Sequence, residues 1–265
     1  MTERALSFGP VASAYERFRP GYPDQVVEEI LTYTRTPIRT ALEIGAGTGK
    51  ATRVFAARGI AVTATDPDAA MLAELRKHVP PAVSTTETAF EDLPLTHAYD
   101  LVFAAASMHW TEPVHRWSRV SALLNANGVF ASFGGQLHLD DVGVDAAVRT
   151  VRCQFLPDDG VPSPDGTPDD SSTQWPGTEL FRSDQFTDIR QIAIERRLGM
   201  PAHEYIGHLS TISAYLQLSA AVREQLFDRI LKVLPAQVTL NADLTLHLAR
   251  VVSSLSVPAA ASTRE

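Results

Sequence analysis

Three glycines at alternate positions follow an acidic residue in Glu43-Ile44-Gly45-Ala46-Gly47-Thr48-Gly49-Lys50. Such a run lets the backbone turn sharply and approach a ligand closely, with the amides of a following helix pointing at it. Two phosphate-binding patterns are excluded by the residues themselves. The dinucleotide pattern GxGxxG needs glycine where Lys50 stands, and the Walker A pattern needs glycine at Ile44 and Ser or Thr at Ala51. Asp66 lies 19 residues after Gly47, at the end of the second strand-like run. A carboxylate there can accept hydrogen bonds from both ribose hydroxyls of a nucleoside, a spacing that several nucleoside cofactors share. Helix capping is the alternative task for Asp66, although Asp68 is placed to cap as well.

A second chemical group is His109, just past the fourth strand-like run. A neutral imidazole at that edge can take a proton or orient an oxygen; lining the pocket beside Trp110 is the other reading. His138, His203 and His208 have weaker claims. No His/Asp/Glu set at metal-ligand spacing is present, so no metal is expected. Cys153 is the only cysteine, which rules out an internal disulfide and reads as a small buried hydrophobe.

Positioning these groups requires a sheet. From Thr40 to Gly135 strand-like runs alternate with helical patterns, the signature of a parallel α/β sheet. Strands are expected at 41–44, 61–65, 82–85, 100–105 and 128–133, with a helix opened by Asp68 that carries Met71, Leu72, Leu75 and Val79 on one face. Val114, Trp117, Val120 and Leu124 give another core-facing stripe, and 24–31 reads as a helix before the first strand. Residues 157–178 hold five prolines, three glycines and five aspartates, and are expected to form a long loop, a lid or a disordered stretch. After it, 186–196 reads as a strand, 201–234 as two helices and 237–251 as a final strand that could pair antiparallel at the sheet edge. The tail from Pro258 reads as frayed.

The 265 residues allow one large domain, divided into an N-terminal lid (1–37), a cofactor core (38–135), an insertion with a loop (136–182), and a sheet edge with a helical cap (183–265). A net charge of -8 argues against a surface that tracks nucleic-acid phosphates. No run approaches a membrane span or a signal peptide, so a cytoplasmic protein, monomer or homodimer, is expected.

The glycine run resembles motif I of the class I S-adenosylmethionine (SAM)-dependent methyltransferases. Phe90-Glu91-Asp92-Leu93-Pro94, Tyr99-Asp100-Leu101-Val102-Phe103 and Ser107-Met108-His109-Trp110 resemble later motifs of the type 11 small-molecule methyltransferases. Phe8-Gly9-Pro10 and the segment from Tyr15 to Pro23 resemble the same family's opening, and the His109-Trp110 pair is similar to that of trans-aconitate methyltransferase-like enzymes. The resemblance is specific from Phe8 to Trp110 and weaker afterwards. It implies a Rossmann-like α/β fold, a seven-stranded, mostly parallel sheet with an antiparallel last strand and a helical cap. It also implies SAM as cofactor and a small organic acceptor, methylated most readily at oxygen. Methylation at carbon or nitrogen, a nicotinamide oxidoreductase and a non-catalytic SAM-binding protein are the alternatives. By resemblance, Glu43, Gly45 and Gly47 would line the methionine half of SAM, and Ala46 and Ala105 would also touch the cofactor. Asp66 would hold the ribose, with Pro67, Phe90 and Glu91 about the adenine, and Tyr15, Arg19 and Tyr22 would fold over the cofactor. Trp110, His203, Thr211 and Tyr215 would meet the acceptor. One departure is Ala89, where relatives carry an acidic residue that reaches the adenine amino group; Glu91 is the candidate substitute.

Overall fold

The computed structural model describes residues 8–156, 163–168 and 170–252. The first half holds α1 (Ala12–Phe18), α2 (Asp24–Tyr33), β1 (Thr40–Ile44), α3 (Thr52–Ala56), β2 (Ala61–Asp66), α4 (Ala69–Leu75) and β3 (Ser84–Glu87). Next come β4 (Tyr99–Ala105), α5 (Arg116–Ala122), β5 (Leu124–Gly134), β6 (His138–Leu139) and α6 (Val142–Arg152). The remainder is α7 (Gly177–Arg182), β7 (Phe186–Ile194), β8 (Arg197–Pro201), α8 (Ala202–Leu209), α9 (Ser213–Leu216), α10 (Ala220–Val233), β9 (Gln237–Asn241) and β10 (Leu244–Val251).

The main sheet has seven strands in the order β3-β2-β1-β4-β5-β10-β7. Strands β1 to β5 pair in parallel, and β10 runs antiparallel between β5 and β7. Helices cover both faces, so central strands are apolar throughout rather than alternating: Leu101, Val102, Phe103 and Ala104 are all fully buried. One face packs under α2 and α3, where Phe55 stacks on Phe103 with centroids 4.2 Å apart and Phe103 on Phe133 at 6.1 Å. The other packs under α5 and α7 through Val120, Leu123, Phe130, Leu180 and Phe186. The expected sheet, with its antiparallel last strand, is therefore present.

A second sheet was not expected. Strands β6, β9 and β8 form a three-stranded antiparallel sheet that joins α6, α8 and α10 around a separate apolar cluster including Leu139, Tyr205, Leu226, Ile230 and Leu240. The cap is thus α and β, and 237–251 is two strands in two sheets instead of one. The break lies at Asn241–Asp243, where the Asp243 N–H donates to Asn241 Oδ1 (2.9 Å) and Asp243 Oδ1 accepts from the Arg196 N–H (2.7 Å). Both bonds turn the chain from one sheet into the other.

Smaller differences have local causes. The third strand lies at Ser84–Glu87 rather than 82–85, because Val83 is held in a turn by its N–H bond to Pro80 O and pairing with β2 starts at Ser84. The stripe through Val114 is shorter than expected. His115 adopts a left-handed conformation, the helix starts at Arg116, and Val114 is 70% exposed. Pro201 ends β8, and three helices, not two, fill the stretch to Val233. Cys153 is exposed just past α6 rather than buried. Of 157–178, residues 157–162 and 169 lie outside the described residues, as does the tail from Pro258. Gly177 and Thr178 already belong to α7. Among the described residues no helix is long and apolar enough to cross a membrane.

The Phe55–Phe103–Phe133 stack gives a stability prediction. Phe103→Ala should lower the unfolding free energy by about 3–5 kcal/mol in urea denaturation, the usual cost of truncating a fully buried phenylalanine.

Candidate functional site

The carboxyl ends of β1, β2, β4 and β5 open into a cavity of about 970 Å³, at the upper end of the range for ligand pockets. Its floor is the glycine loop. Gly45 and Gly49 have φ of +66° and +82°, values that favour glycine. A Cβ on Gly45 would lie 2.6 Å from Ser107 Cβ, and one on Gly49 2.7 Å from Leu75 Cγ. The Ser107 hydroxyl donates to Ile44 O, joining the loop after β4 to the end of β1. Gly45 therefore keeps two chain crossings in contact, besides letting the loop turn.

Asp66 stands at the centre of this edge. Gly47 N–H donates to its Oδ2 and Asp68 N–H to its Oδ1, both at 2.9 Å. Each carboxylate oxygen retains acceptor capacity beyond those bonds. Burial pushes its pKa up to about 6, with the two amide bonds pulling the other way. The cap of α4 is Asp68, whose Oδ1 accepts from Ala70 N–H at 2.8 Å and Met71 N–H at 3.3 Å. Asp66 is thus free of capping duty and lines the cavity with Pro67.

The opposite wall comes from the ends of β4 and β5. Ala106 has φ of +53°, and its N–H donates to Phe133 O at 2.8 Å. A non-glycine residue there is strained, and such strain is common at functional sites. The chain then forms a short turn at Met108–Trp110 that places His109 and Trp110 on the cavity wall, their rings 4.5 Å apart. Arg116, 1% exposed, braces the turn. Its guanidinium donates to Thr111 Oγ1 (2.7 Å) and Thr111 O (2.6 Å), pairs with Glu179 (3.2 Å) and lies over the Trp175 ring. Arg119 likewise donates to Phe90 O and Leu93 O, fixing the turn that carries Phe90 and Glu91. One Glu91 oxygen accepts from Glu112 N–H at 2.7 Å, so that side chain is anchored while it lines the cavity.

The N-terminal segment roofs the site. Phe8 makes edge contacts with both Tyr15 and Trp110. Lys50, where a dinucleotide loop would have glycine, donates to Glu16 O at 2.6 Å and sits 3.5 Å from the Glu16 carboxylate; Arg53 pairs with Glu16 at 2.8 Å. Both cations tie α1 to the glycine loop. At the other end Arg19 donates to Thr211 Oγ1 (2.8 Å) and Thr211 O (3.1 Å) through Nε and one terminal nitrogen, joining α1 to the cap.

Of the expected site residues, Tyr15, Arg19, Gly45, Gly47, Asp66, Pro67, Phe90, Glu91, Ala105, His109 and Trp110 line this cavity. The others lie elsewhere. Tyr22 packs edge-on against Phe133, 5.0 Å away, in the core. Glu43 is buried behind the wall, where Thr52 Oγ1 donates to it at 2.5 Å, and burial pushes its pKa up to about 8. Ala46 is buried beside it, with its N–H on Thr65 O. Thr211 and Tyr215 are buried in the cap, the first bonded to Arg19 and the second packed on Phe227, and His203 is exposed on α8. Met71, Gln136, Arg149, Trp175 and His247 line the cavity without having been expected there, and so do His138 and His208, which had only weaker claims. No local motif marks these residues; α4 brings in Met71, β10 His247, the turn before α7 Trp175, and the cap helices α6 and α8 Arg149 and His208. Among the described residues no His/Cys/Asp/Glu group could hold a metal ion.

Residues 41–128 match a family model described as a methyltransferase domain. Proteins described as uncharacterized methyltransferases of Mycobacterium tuberculosis and Mycobacterium bovis are 38% identical over 127 residues, 48% of this chain and 51% of theirs. A protein of Saccharomyces cerevisiae, named as a probable S-adenosylmethionine-dependent methyltransferase, is 30% identical over 124 residues, 44% of this chain and 43% of its own. The chain thus spans about half the length of the curated relatives it matches. Among solved structures, a candidate type II methyltransferase from Anaeromyxobacter dehalogenans superposes with a TM-score of 0.60 at 23% identity, over 89% of this chain and 98% of that one. At that identity the likeness speaks to the fold.

Two expected outcomes follow from these contacts. The folded protein holds the Glu43 proton up to about pH 8, whereas the unfolded chain releases it near 4.5. Its contribution therefore favours folding below about pH 4.5 and is lost as pH rises to about 8. Glu43→Gln should remove that part of the slope, read as a smaller difference between urea midpoints at pH 5 and pH 8 than in the wild type. Arg19→Ala should free α1 from the cap, and hydrogen exchange of the amides of residues 12–18 should speed up while the central strands keep their protection.

Proposed function

We propose that the chain is a SAM-dependent methyltransferase of the class I kind, acting on a small organic acceptor with oxygen as the methylated atom. The observation that carries this reading is Asp66. It is a buried carboxylate oriented by two backbone N–H groups, with acceptor capacity left over, beside a three-glycine loop at the carboxyl edge of a parallel sheet. That is a diol-binding carboxylate next to a close backbone approach, which suits the ribose of a nucleoside cofactor. The use of Lys50 to hold α1 favours this over a dinucleotide. The methyltransferase-domain match spans the glycine loop, Asp66, Phe90, Glu91, His109 and Trp110 and supports the same reading.

The residues present fit the cofactor. Asp66 would hold the ribose hydroxyls, with Pro67 and Phe90 beside the base and Glu91 at its edge. Gly45, Gly47 and Ala105 would line the methionine half. Arg19 has one terminal nitrogen outside its bonds to Thr211 and would meet the carboxylate, a charge-assisted pairing. Glu43, Ala46 and Tyr22 would act from behind the wall by holding the loop and the sheet in register. When bound, SAM supplies an electrophilic methyl group on a sulfonium centre.

The chain's own contribution is mostly positioning. Phe8, Tyr15 and Trp110 close over the site and exclude water, and the cap walls hold the acceptor. Alignment of this sort supplies up to about 7–11 kcal/mol in ideal cases. His109 would accept or orient the proton of a hydroxyl acceptor, an effect of about 10²–10⁴-fold. A carboxylate acceptor, which the resemblance to trans-aconitate methyltransferase-like enzymes favours, needs only placement. The cap roofs the acceptor end with Leu139, Val148, Leu209 and Ile212 beside Asp145, Arg149 and Arg152, an enclosure that suits a small molecule better than a nucleic acid.

Calorimetry should show SAM and S-adenosylhomocysteine binding at one site per chain and NADH not binding. Asp66→Ala should weaken S-adenosylhomocysteine by about 1.5–3 kcal/mol, the scale of a hydrogen bond to a charged group. Unchanged affinity in that variant would remove Asp66 from the site, and binding of NADH alone would replace the methyltransferase reading. Labelled SAM with a panel of acids and alcohols then reads the acceptor. His109→Ala should lower turnover with a hydroxyl acceptor but mainly weaken binding of a carboxylate.

A further inference from the structure

We propose that His208 is the acceptor-holding residue, selecting a hydroxyl group over a carboxylate. This deepens the methyltransferase reading above and rests on it. His208 lies on α8, far in sequence from every motif of the cofactor half, yet its imidazole lines the same cavity. It is 3% exposed, and its Nδ1 is buried with no hydrogen-bond partner. A buried polar nitrogen without a partner is uncommon in a folded protein and calls for a ligand or another cause. The helix itself uses only the backbone of His208, whose carbonyl accepts from the Thr211 N–H and hydroxyl. The ring's near neighbour is Tyr205, with which it stacks at 6.4 Å.

The surroundings select the chemistry of the group it would meet. Arg19, clasped to Thr211 one turn further along the cap, is the charged neighbour of the ring. Burial, with Arg19 adding to it, pushes the His208 pKa down to about 3, so the ring is uncharged throughout the physiological range. An uncharged imidazole carries one N–H and one lone pair, and either nitrogen can pair with a hydroxyl, which both donates and accepts. A carboxylate finds no positive charge on this ring and can use only its N–H. A second buried, unpartnered polar atom, the Trp175 indole N–H, belongs to another residue of the same cavity and is also a single neutral donor. Around them the cap supplies Leu209, Ile212, Leu139 and Val148 as apolar surface, while its charged lining residues on α6 are Asp145, Arg149 and Arg152.

The test uses the full chain loaded with S-adenosylhomocysteine and two probes that differ only in the group at issue, phenol and benzoate. With ¹⁵N-labelled histidine, phenol should shift the ring resonances of His208 and benzoate should not. His208→Leu should weaken phenol by at least about tenfold, and His208→Asn, which returns a hydrogen-bonding atom near the place of Nδ1, should recover part of the loss. A merely structural role for His208 would leave phenol affinity unmoved in both variants. Phenol affinity unchanged by His208→Leu, no phenol-induced shift at millimolar phenol, or a larger His208 response to benzoate would each overturn the proposal. If the wild-type chain fails to bind S-adenosylhomocysteine, the methyltransferase reading falls and this inference with it. If the cofactor product binds and the probes ignore His208, only the inference falls.

Discussion

The hydrogen bond from Gly47 N–H to the Asp66 carboxylate joins the two crossings on which the cavity depends. It spans from the loop after β1 to the end of β2, and it works only because Gly45 and Gly49 take up left-handed conformations on either side. The same loop is held from a third direction by the Ser107 hydroxyl on Ile44 O, so the ends of β1, β2 and β4 move as one unit. A parallel sheet makes this economical. All the strand ends that converge here point the same way, and loops of a few residues reach one another without crossing.

Three arginines, Arg116 buried and Arg119 and Arg19 partly so, carry this arrangement outward. Arg116 connects the His109–Trp110 turn to α7 and the Trp175 loop, and Arg119 connects the Phe90 turn to α5. Arg119 donates to the carbonyls of Phe90 and Leu93, and Arg116 to Thr111 and Glu179, so turns without regular structure become rigid walls. Arg19 performs the matching task across the cavity, between α1 and the cap. Because Glu16 on α1 is held to the glycine loop by Lys50 and Arg53, the N-terminal segment bridges both halves of the site.

Several ionisable groups sit in this low-dielectric region in their uncharged or weakly acidic forms. Glu43 and Asp66 are both pushed upward by burial, and His208 and His247 downward, the direction expected when desolvation outweighs local partners. Such groups cluster around functional sites, and here they fall on both sides of the cavity: carboxyls on the sheet side, imidazoles on the cap and outer-strand side. The cavity therefore has a cofactor end rich in hydrogen bonds and a far end where apolar cap residues stand beside uncharged imidazoles and the charged α6 residues Asp145, Arg149 and Arg152.

The glycine loop, Asp66, the alternation of strands and helices, and His109 were legible in the residues, because each is a local pattern whose physics needs no distant partner. Positive-φ glycines, a carboxylate at a strand end and apolar runs bounded by turns declare themselves within a few residues. The cap was not legible in this way. Whether 237–251 is one strand or two depends on Asp243 meeting the Arg196 amide, 47 positions away, and no periodicity records such a bond. Thr211, Tyr215, Tyr22 and Glu43 have suitable chemistry, yet their side chains are used by packing or by partners such as Arg19 and Thr52. His208, Arg149 and Trp175 reach the cavity only because α6, α8 and the turn before α7 fold over the sheet edge. Sequence determined which groups could do chemistry at the strand ends; tertiary packing decided which of the remaining polar groups face the same space, since facing depends on long-range contacts that no short pattern encodes.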